Sequence, residues 1–455
     1  MTHEFDIVIL GAGSGGYACA LRAAQLGMSV ALIERDRVGG TCLHSGCVPT
    51  KALLHSAELA DGARDGAAYG IRSRFDGVDM AGVNAFKDRV VTRLHQGLQG
   101  LITSAGITHV EGEGHLVDAT TVEVDGVAYV GGDLVLATGS YARTLPGVEI
   151  GERVMTSDGA LTLTDVPERA VIVGGSVIGV EFASVWRSFG ADVTVIEAMP
   201  SLVPLEDPSL GKHLERVFRQ RGIDVRTATR FESITDLDGE VQVNLEGGNA
   251  VVADLVLVAV GRGPSSSGLG LEDHGVRLDR GWVTTDERLQ TSVPHVYAVG
   301  DLVPGLQLAH RGFAHGIFVA EEIAGLSPEP IDDSRIPRVT YCHPEIASVG
   351  LTEPEARERF GEVQVYQYNL GGNGKSQILD TAGFVKVIRE LDGPIIGVHL
   401  IGDRMGEQIG EATLMVGWEA FPEDVARFVH AHPTQNESLG EAALALAGQP
   451  LHAHA

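Results

Sequence analysis

The chain has 455 residues, 59 of them glycine, and an apolar content of 44%; that length suits about three domains, and the composition excludes both a collagen repeat and a disordered chain. Against 61 Asp and Glu stand only 34 Lys and Arg, a formal charge of −27, which excludes nucleic acid or anionic membrane as the main partner. Four cysteines are too few for a disulfide scaffold, so a close pair among them points to redox or metal chemistry.

Met1 to Leu10 has no basic segment and enters an apolar strand pattern by Phe5, which predicts no signal peptide. No apolar run approaches the roughly 18 residues of a membrane helix, so a soluble, cytoplasmic protein is expected. From Ile7 the chain reads as a short apolar strand, a glycine turn with Gly11, Gly13 and Gly16, a helix, and a second apolar strand ending at Glu34. That is a βαβ unit with the glycine spacing of a dinucleotide site. The first glycine permits the tight turn, the second lets a pyrophosphate approach the backbone, and the third lets helix and strand pack closely. Cys19 falls on the apolar side of the helix and is read as packing.

Gly39-Gly-Thr-Cys42-Leu-His-Ser-Gly-Cys47-Val-Pro-Thr-Lys51 follows. A cross-link closing so short a loop stabilises a fold by only about 2 kcal/mol, so a redox role is the better reading of Cys42 and Cys47. Pro49 suits a first helical turn, which predicts a helix running on through Lys51 and Leu54. A thiol at that helix N-terminus with Lys51 nearby is expected to have a lowered pKa. The alternative, a zinc site, needs two further ligands, and Cys19 and Cys342 are remote in sequence and solitary. Cys342 carries no assigned role.

Asp133-Leu-Val-Leu-Ala-Thr-Gly139 reads as the buried strand that closes the first nucleotide domain. The pattern then begins again. Ala170 to Glu197 matches Ile7 to Glu34 at a constant offset of 163, placing Gly174 on Gly11, Gly179 on Gly16 and Glu197 on Glu34, with Ser176 in place of Gly13. Two such units predict two bound dinucleotides, the second somewhat weaker if the Ser176 side chain pushes the pyrophosphate outward. Glu197 is placed to bond a ribose 2′-hydroxyl, and no Arg or Lys follows through Asp207 to pair with a 2′-phosphate, so NAD is expected over NADP. Asp254-Leu-Val-Leu-Val-Ala-Val-Gly261 closes this repeat, and Pro294-His-Val-Tyr-Ala-Val-Gly-Asp301 is another buried strand. Asp301 either binds a cofactor hydroxyl or caps the next helix. Beyond Ile336 the pattern becomes α+β, with Phe384 to Ile388 and Ile395 to Leu400 as neighbouring antiparallel strands and helices from Gly406 on.

Of 17 histidines, His430, His452 and His454 read as surface residues. His432 heads His432-Pro-Thr-Gln-Asn-Glu437, a spacing in which the acid can fix the tautomer of a general base.

Together the G-x-G-x-x-G turn, the Cys42–Lys51 loop, the second repeat, Ala298-Val-Gly-Asp301 and His432-Pro-Thr-Gln-Asn-Glu437 resemble, end to end, the pyridine nucleotide–disulfide oxidoreductases. The resemblance implies an α/β fold: two Rossmann-like domains, FAD-binding with the central domain (1–145 and 270–335) and NAD-binding (146–269), and an α+β dimerisation domain (336–455). It implies that Cys42 is the interchange thiol, that Cys47 faces the flavin, and that His432, oriented by Glu437, is the base serving the other subunit of a homodimer. FAD would be lined by Gly11, Gly13, Gly16, Glu34, Lys51, Gly114, Thr138, Gly139, Ser140, Asp301, Ala309 and His310. NAD would be lined by Gly174, Ser176, Gly179, Glu181, Glu197 and Ala259 to Arg262, with Glu181 also pairing with Lys51. The activity implied is oxidation of dihydrolipoamide by NAD, in service of the lipoyl-bearing acyltransferase of a 2-oxoacid dehydrogenase complex, without a metal. His44-Ser45 departs from the more common Asn-Val within the cysteine loop. The nearest rivals are reductases of glutathione, mycothiol or mercury, the last usually with an added C-terminal cysteine pair that Leu451-His-Ala-His-Ala455 lacks. A non-catalytic flavoprotein would need neither the cysteine pair nor His432 with Glu437.

Overall fold

The computed structural model describes residues 1–452, so His454 lies outside the described residues. The chain divides into two compact units, one of residues 1–52, 81–143 and 261–333 and the other of residues 53–80, 144–260 and 334 onward.

In the first unit the strand Thr2–Leu10 pairs in parallel with Val30–Glu34 on one side and Val127–Leu136 on the other. Thr108–Glu111 and Val296–Ala298 extend the parallel order at either end. Such strands can be unbroken apolar runs only where both faces are covered. Both are. Ile7, Ile9, Leu32 and Val135 point into a core shared with Cys19, Ala20 and Phe318, while Val8, Leu10, Ile33 and Leu136 point into a second core on the opposite face. The helices Ser14–Gln25 and Ala309–Ile323 supply the cover on the first side. Cys19 is therefore a packing residue, as expected, and burial pushes its thiol up to about 12.

The second unit repeats the parallel pattern. Asp224–Arg226, Asp192–Ile196, Arg169–Val173, Leu255–Val258 and Val154–Met155 lie side by side, all parallel. The partners Ile7 with Val30 and Ala170 with Val193 preserve the offset of the sequence repeat. A three-stranded antiparallel meander, Phe231–Leu237, Glu240–Leu245 and Asn249–Ala253, packs over this sheet through Val241, Val243 and Leu245. The same unit contains the antiparallel sheet in which Phe384–Glu390 and Ile395–Gly402 are neighbours, as the sequence predicts. The helices Met405–Gly417 and Glu437–Leu446 pack on it through Met405, Ile409, Leu439 and Ala442. Among the described residues no helix is long and apolar enough to cross a membrane.

A buried ion cluster holds this unit together. Lys386 Nζ lies 2.9 Å from both carboxylate oxygens of Asp207 and 2.8 Å from Glu353 Oε2. Burial works against the charge on Asp207, but the Ser209 hydroxyl, the Glu353 N–H and Lys386 outweigh it and hold the carboxyl at about 2. Removing one member of a buried charge cluster strands the others. Lys386→Met should therefore lower unfolding stability by about 3–5 kcal/mol, read by urea denaturation beside the parent. Because the Asp207 carboxyl is depressed on folding, its contribution should persist above about pH 4 and fade as pH drops through about 2.

Candidate functional site

Each glycine turn leaves the C-terminal end of the first strand of its repeat. Gly11 has φ of +101°, and a Cβ there would lie 2.4 Å from Ala137 O; one on Gly16 would lie 1.8 Å from Gly11 O. In the second copy Gly174 and Gly179 meet the same obstacles at 2.3 and 1.9 Å. The fold itself demands these four glycines. It does not demand Gly13, where the nearest atom to a Cβ is Gly40 Cα at 3.9 Å. Its extended backbone (φ −71°, ψ −170°) is matched by Ser176 (φ −87°, ψ −170°), and neither helix has a side-chain N-cap bond. An open glycine before uncapped helical N–H groups is the cradle a pyrophosphate fits. The second cradle has the same backbone and carries a hydroxymethyl group in it.

The acids at the strand ends are also alike. Glu34 accepts N–H bonds from Ala12 at 2.7 Å and Asp36 at 3.0 Å, and Glu197 from Gly175 at 2.6 Å and Met199 at 2.7 Å. Each oxygen takes one bond, so lone pairs remain for sugar hydroxyls.

Around the first turn, Thr138 donates to Ser265 O at 2.7 Å, and Ser140 Oγ donates to Asp301 Oδ2 at 2.7 Å. Asp301 lies in the short 3-10 turn Gly300–Leu302 and is not the cap of the helix Ala309–Ile323, whose N-cap is Leu308; His310 on that helix is exposed. A Cβ on Gly114 would meet Leu10 and Val122 at 2.8 Å, so this position closes over the strand ends, while Gly139 (φ +71°) and Gly261 (φ +103°) have open surroundings. Arg262, grouped in the sequence reading with the second nucleotide, has its guanidinium on Ser140 Oγ at 2.8 Å and Ser140 O at 2.7 Å, in the first unit. Glu181 is buried in the second unit and accepts the Tyr341 N–H at 2.9 Å.

Cys42 lies in the short helix Gly40–His44, and Cys47 opens the helix Cys47–Asp65, which carries Lys51 in its second turn. The two sulfurs are separate thiols joined by a hydrogen bond, Cys42 half-buried and Cys47 exposed. The Cys42 thiol is pushed up rather than down: its bond to Cys47, then burial and the Cys47 charge, outweigh Lys51. The upward push concerns Cys42; the thiol that opens the helix is Cys47. Cys342 is buried, and burial raises its thiol well above the ordinary value. His44 donates from Nε2 to Val38 O at 2.9 Å, as does His95 from Nδ1 at 3.2 Å, which ties the cysteine segment to the helix Met80–Ser104. Burial, above all, lowers the His44 pKa.

His432 Nδ1 lies 2.8 Å from Glu437 Oε1, and Glu437 Oε2 accepts the Thr434 N–H at 2.8 Å. Burial opposes the Glu437 charge, but Thr434 and His432 hold its carboxyl below the ordinary value. With Nδ1 committed as donor, Nε2 is the nitrogen able to take a proton, on a ring that is 74% exposed. The loop is held from beneath: Asn373 donates to Thr434 O at 3.0 Å, Ser376 to Gln435 at 2.6 Å, and Gln435 to Asp403 O at 2.9 Å. These partners stand about 30 to 60 residues apart in sequence, and no local pattern marks them. His430 is not a surface residue: its side chain is 10% exposed and bonded to Glu411 at 2.8 Å. His452 is exposed as expected but bonded to Glu441.

Residues 5–316 match the family model of the pyridine nucleotide-disulphide oxidoreductases, and residues 336–443 match that family's dimerisation domain. The dihydrolipoyl dehydrogenase of Bacillus subtilis (strain 168) is 37% identical over 473 residues, spanning 99% of this chain and 100% of that protein. The mitochondrial dihydrolipoyl dehydrogenase of Pisum sativum is 38% identical over 467 residues, spanning 99% of this chain and 93% of its own. Among solved structures, LpdA from Mycobacterium tuberculosis superposes with a TM-score of 0.91 at 27% identity, covering 97% of this chain and 99% of that one.

The two kinds of glycine can be separated by experiment. Gly13→Ala should fold like the parent, judged by thermal unfolding without cofactor, yet bind its flavin dinucleotide at least tenfold more weakly, about 1.4 kcal/mol. Gly16→Ala, whose Cβ meets Gly11 O at 1.8 Å, should fail to fold. Parental flavin affinity in Gly13→Ala would remove the cradle argument.

Proposed function

Because the chain belongs to the pyridine nucleotide-disulphide oxidoreductases, we propose that it is a dihydrolipoyl dehydrogenase, a homodimeric FAD enzyme that oxidises dihydrolipoamide with NAD. The observation that carries this reading is the hydrogen-bonded thiol pair Cys42–Cys47 in a chain that also holds the His432–Glu437 dyad. In this assignment residues 1–145 and 270–335 hold FAD, 146–269 hold NAD, and 336–455 pair the subunits. FAD supplies the two-electron step between the thiol pair and the nicotinamide. Gly11, Gly13 and Gly16 would hold its pyrophosphate, Glu34 its adenosine ribose, and Ser140 with Asp301 its sugar chain.

The chain's own residues carry the thiol chemistry. In the oxidised enzyme Cys42 and Cys47 are joined. One thiolate of dihydrolipoamide attacks Cys42 Sγ, forming a mixed disulfide and expelling Cys47 as thiolate. His432 Nε2 takes the proton of the second substrate thiol; the thiolate attacks the substrate sulfur of the mixed disulfide, closing lipoamide and expelling Cys42 as thiolate, to which the imidazolium returns the proton. Glu437 fixes the tautomer that leaves Nε2 free and stabilises the imidazolium. The reduced state that results is the one whose Cys42 thiol is held protonated against Cys47. The natural substrate is the lipoyl group of an acyltransferase subunit in a 2-oxoacid dehydrogenase complex, and the location is the cytoplasm, consistent with the acidic charge of −27.

Three substitutions test the assignment. Cys42→Ser and Cys47→Ser should retain fold and FAD and still reduce dyes with NADH, but lose dihydrolipoamide turnover by orders of magnitude. His432→Gln should lose about 10²–10⁴-fold. Near-parental dihydrolipoamide turnover in any of the three would reject the mechanism. Nucleotide choice gives a second expectation. The Glu197 carboxylate repels a 2′-phosphate, so kcat/KM should favour NAD over NADP by more than about tenfold, a difference of about 1.4 kcal/mol. Glu197→Ala should narrow that ratio, and equal values in the parent would reject the role of Glu197.

A further inference from the structure

The helix Glu437–Leu446 carries a second His–Glu pair one turn beyond the first. Glu441 accepts the backbone N–H of His452 on Oε2 at 3.0 Å and the imidazole Nδ1–H on Oε1 at 2.9 Å. Residues four apart on a helix are neighbours, with about 5–6 Å between Cβ atoms, and like charges so placed repel. Here each carboxylate accepts a hydrogen bond from an imidazole, Glu437 from His432 and Glu441 from His452. The pairs sense one another: burial opposes the charge on Glu437, and Thr434, His432 and His452 together hold its carboxyl down. The Glu441 side chain is 10% exposed, so its field is poorly screened from within, whereas the His452 ring is 68% exposed. The segment is docked and not merely adjacent. Gln449 N donates to Leu444 O at 2.8 Å, and a Cβ on Gly372, one residue before the Asn373 that holds Thr434 O, would lie 3.4 Å from His452 O. The other titratable groups facing these carboxylates are His430, bonded to Glu411, and the phenols of Tyr366 and Tyr368.

We propose that Glu441 and His452 are a positioning pair that sets how readily His432 holds its proton, Glu441 favouring the imidazolium and His452 opposing it. The inference rests on the reading of His432 as the base. Both act through the charge they place beside the dyad.

The two members push in opposite directions, which a purely structural anchor would not do. In FAD-loaded dimers at low salt, Glu441→Gln should move the acid midpoint of kcat/KM for dihydrolipoamide down by about 0.3 of a pH unit. His452→Gln, which retains a side-chain donor, should move it up by a similar amount. Both shifts should shrink at about 0.5 M salt, and NADH-driven dye reduction should be unchanged. The His432 ring titration, followed by NMR and assigned with His432→Gln, should show the same opposed shifts with no substrate present. Opposed ring shifts in a protein without dihydrolipoamide turnover would support the pair and reject only the substrate assignment. Ring midpoints that are unchanged in both variants, or displaced in the same direction, would overturn the pair whatever the turnover.

Discussion

The contact on which the structure depends is the one between the third glycine of each turn and the carbonyl of the first. With 1.8 and 1.9 Å between that carbonyl and a hypothetical Cβ, the helix N-terminus is pressed against the strand end as closely as a backbone allows. This brings uncapped N–H groups to the edge of a parallel sheet whose strands are buried on both faces. A helix start in that position is an anion site by geometry and by dipole. The acid at the end of the next strand then closes the loop by accepting an N–H from it, Ala12 in one copy and Gly175 in the other. Two dinucleotide cradles follow from one local rule applied twice.

The thiol pair obeys a different constraint. Two cysteines in contact cannot both ionise, because a thiolate on one raises the other. The structure expresses this as a Cys42 thiol held protonated by Cys47, the division of labour that disulfide exchange needs. The helix that begins at Cys47 contributes Lys51, which works in the opposite sense and favours the charged form. The other two cysteines show the contrast: each is buried, and burial is the main reason its thiol is pushed up.

The histidine loop is built from polar groups instead of apolar ones. Glu437 serves twice, accepting His432 on one oxygen and the Thr434 N–H on the other, so that the helix start, the loop and the base are one hydrogen-bonded object. Beneath it Asn373, Ser376 and Gln435 satisfy one another in the interior. A buried network in which each member has a partner holds one conformation, and an unpaired member would be costly. An exposed imidazole can therefore keep a defined orientation.

The amino-acid sequence by itself determined the parts that depend on short spacing. The βαβ repeats, their register, the roles of the outer glycines and the helix from Cys47 all follow from residues within about 30 positions of one another, and the structure reproduces them down to the shared partners Ile7–Val30 and Ala170–Val193. The spacing in His432-Pro-Thr-Gln-Asn-Glu437 likewise foretold its hydrogen bond. Tertiary structure alone decided what depends on remote residues. Arg262 lies on Ser140 because its strand pairs with Ser140–Ala142, and His430 is half-buried against Glu411. Cys42 is raised because a thiol's proton affinity depends on burial and on which groups meet it in space. Gly13 and Gly16 look alike in a motif, yet only the folded chain shows that one has open space before it and the other a carbonyl. A hydrogen bond or a steric limit is set by distance in space, and sequence spacing reports that distance only where a single strand, turn or helix joins the two residues.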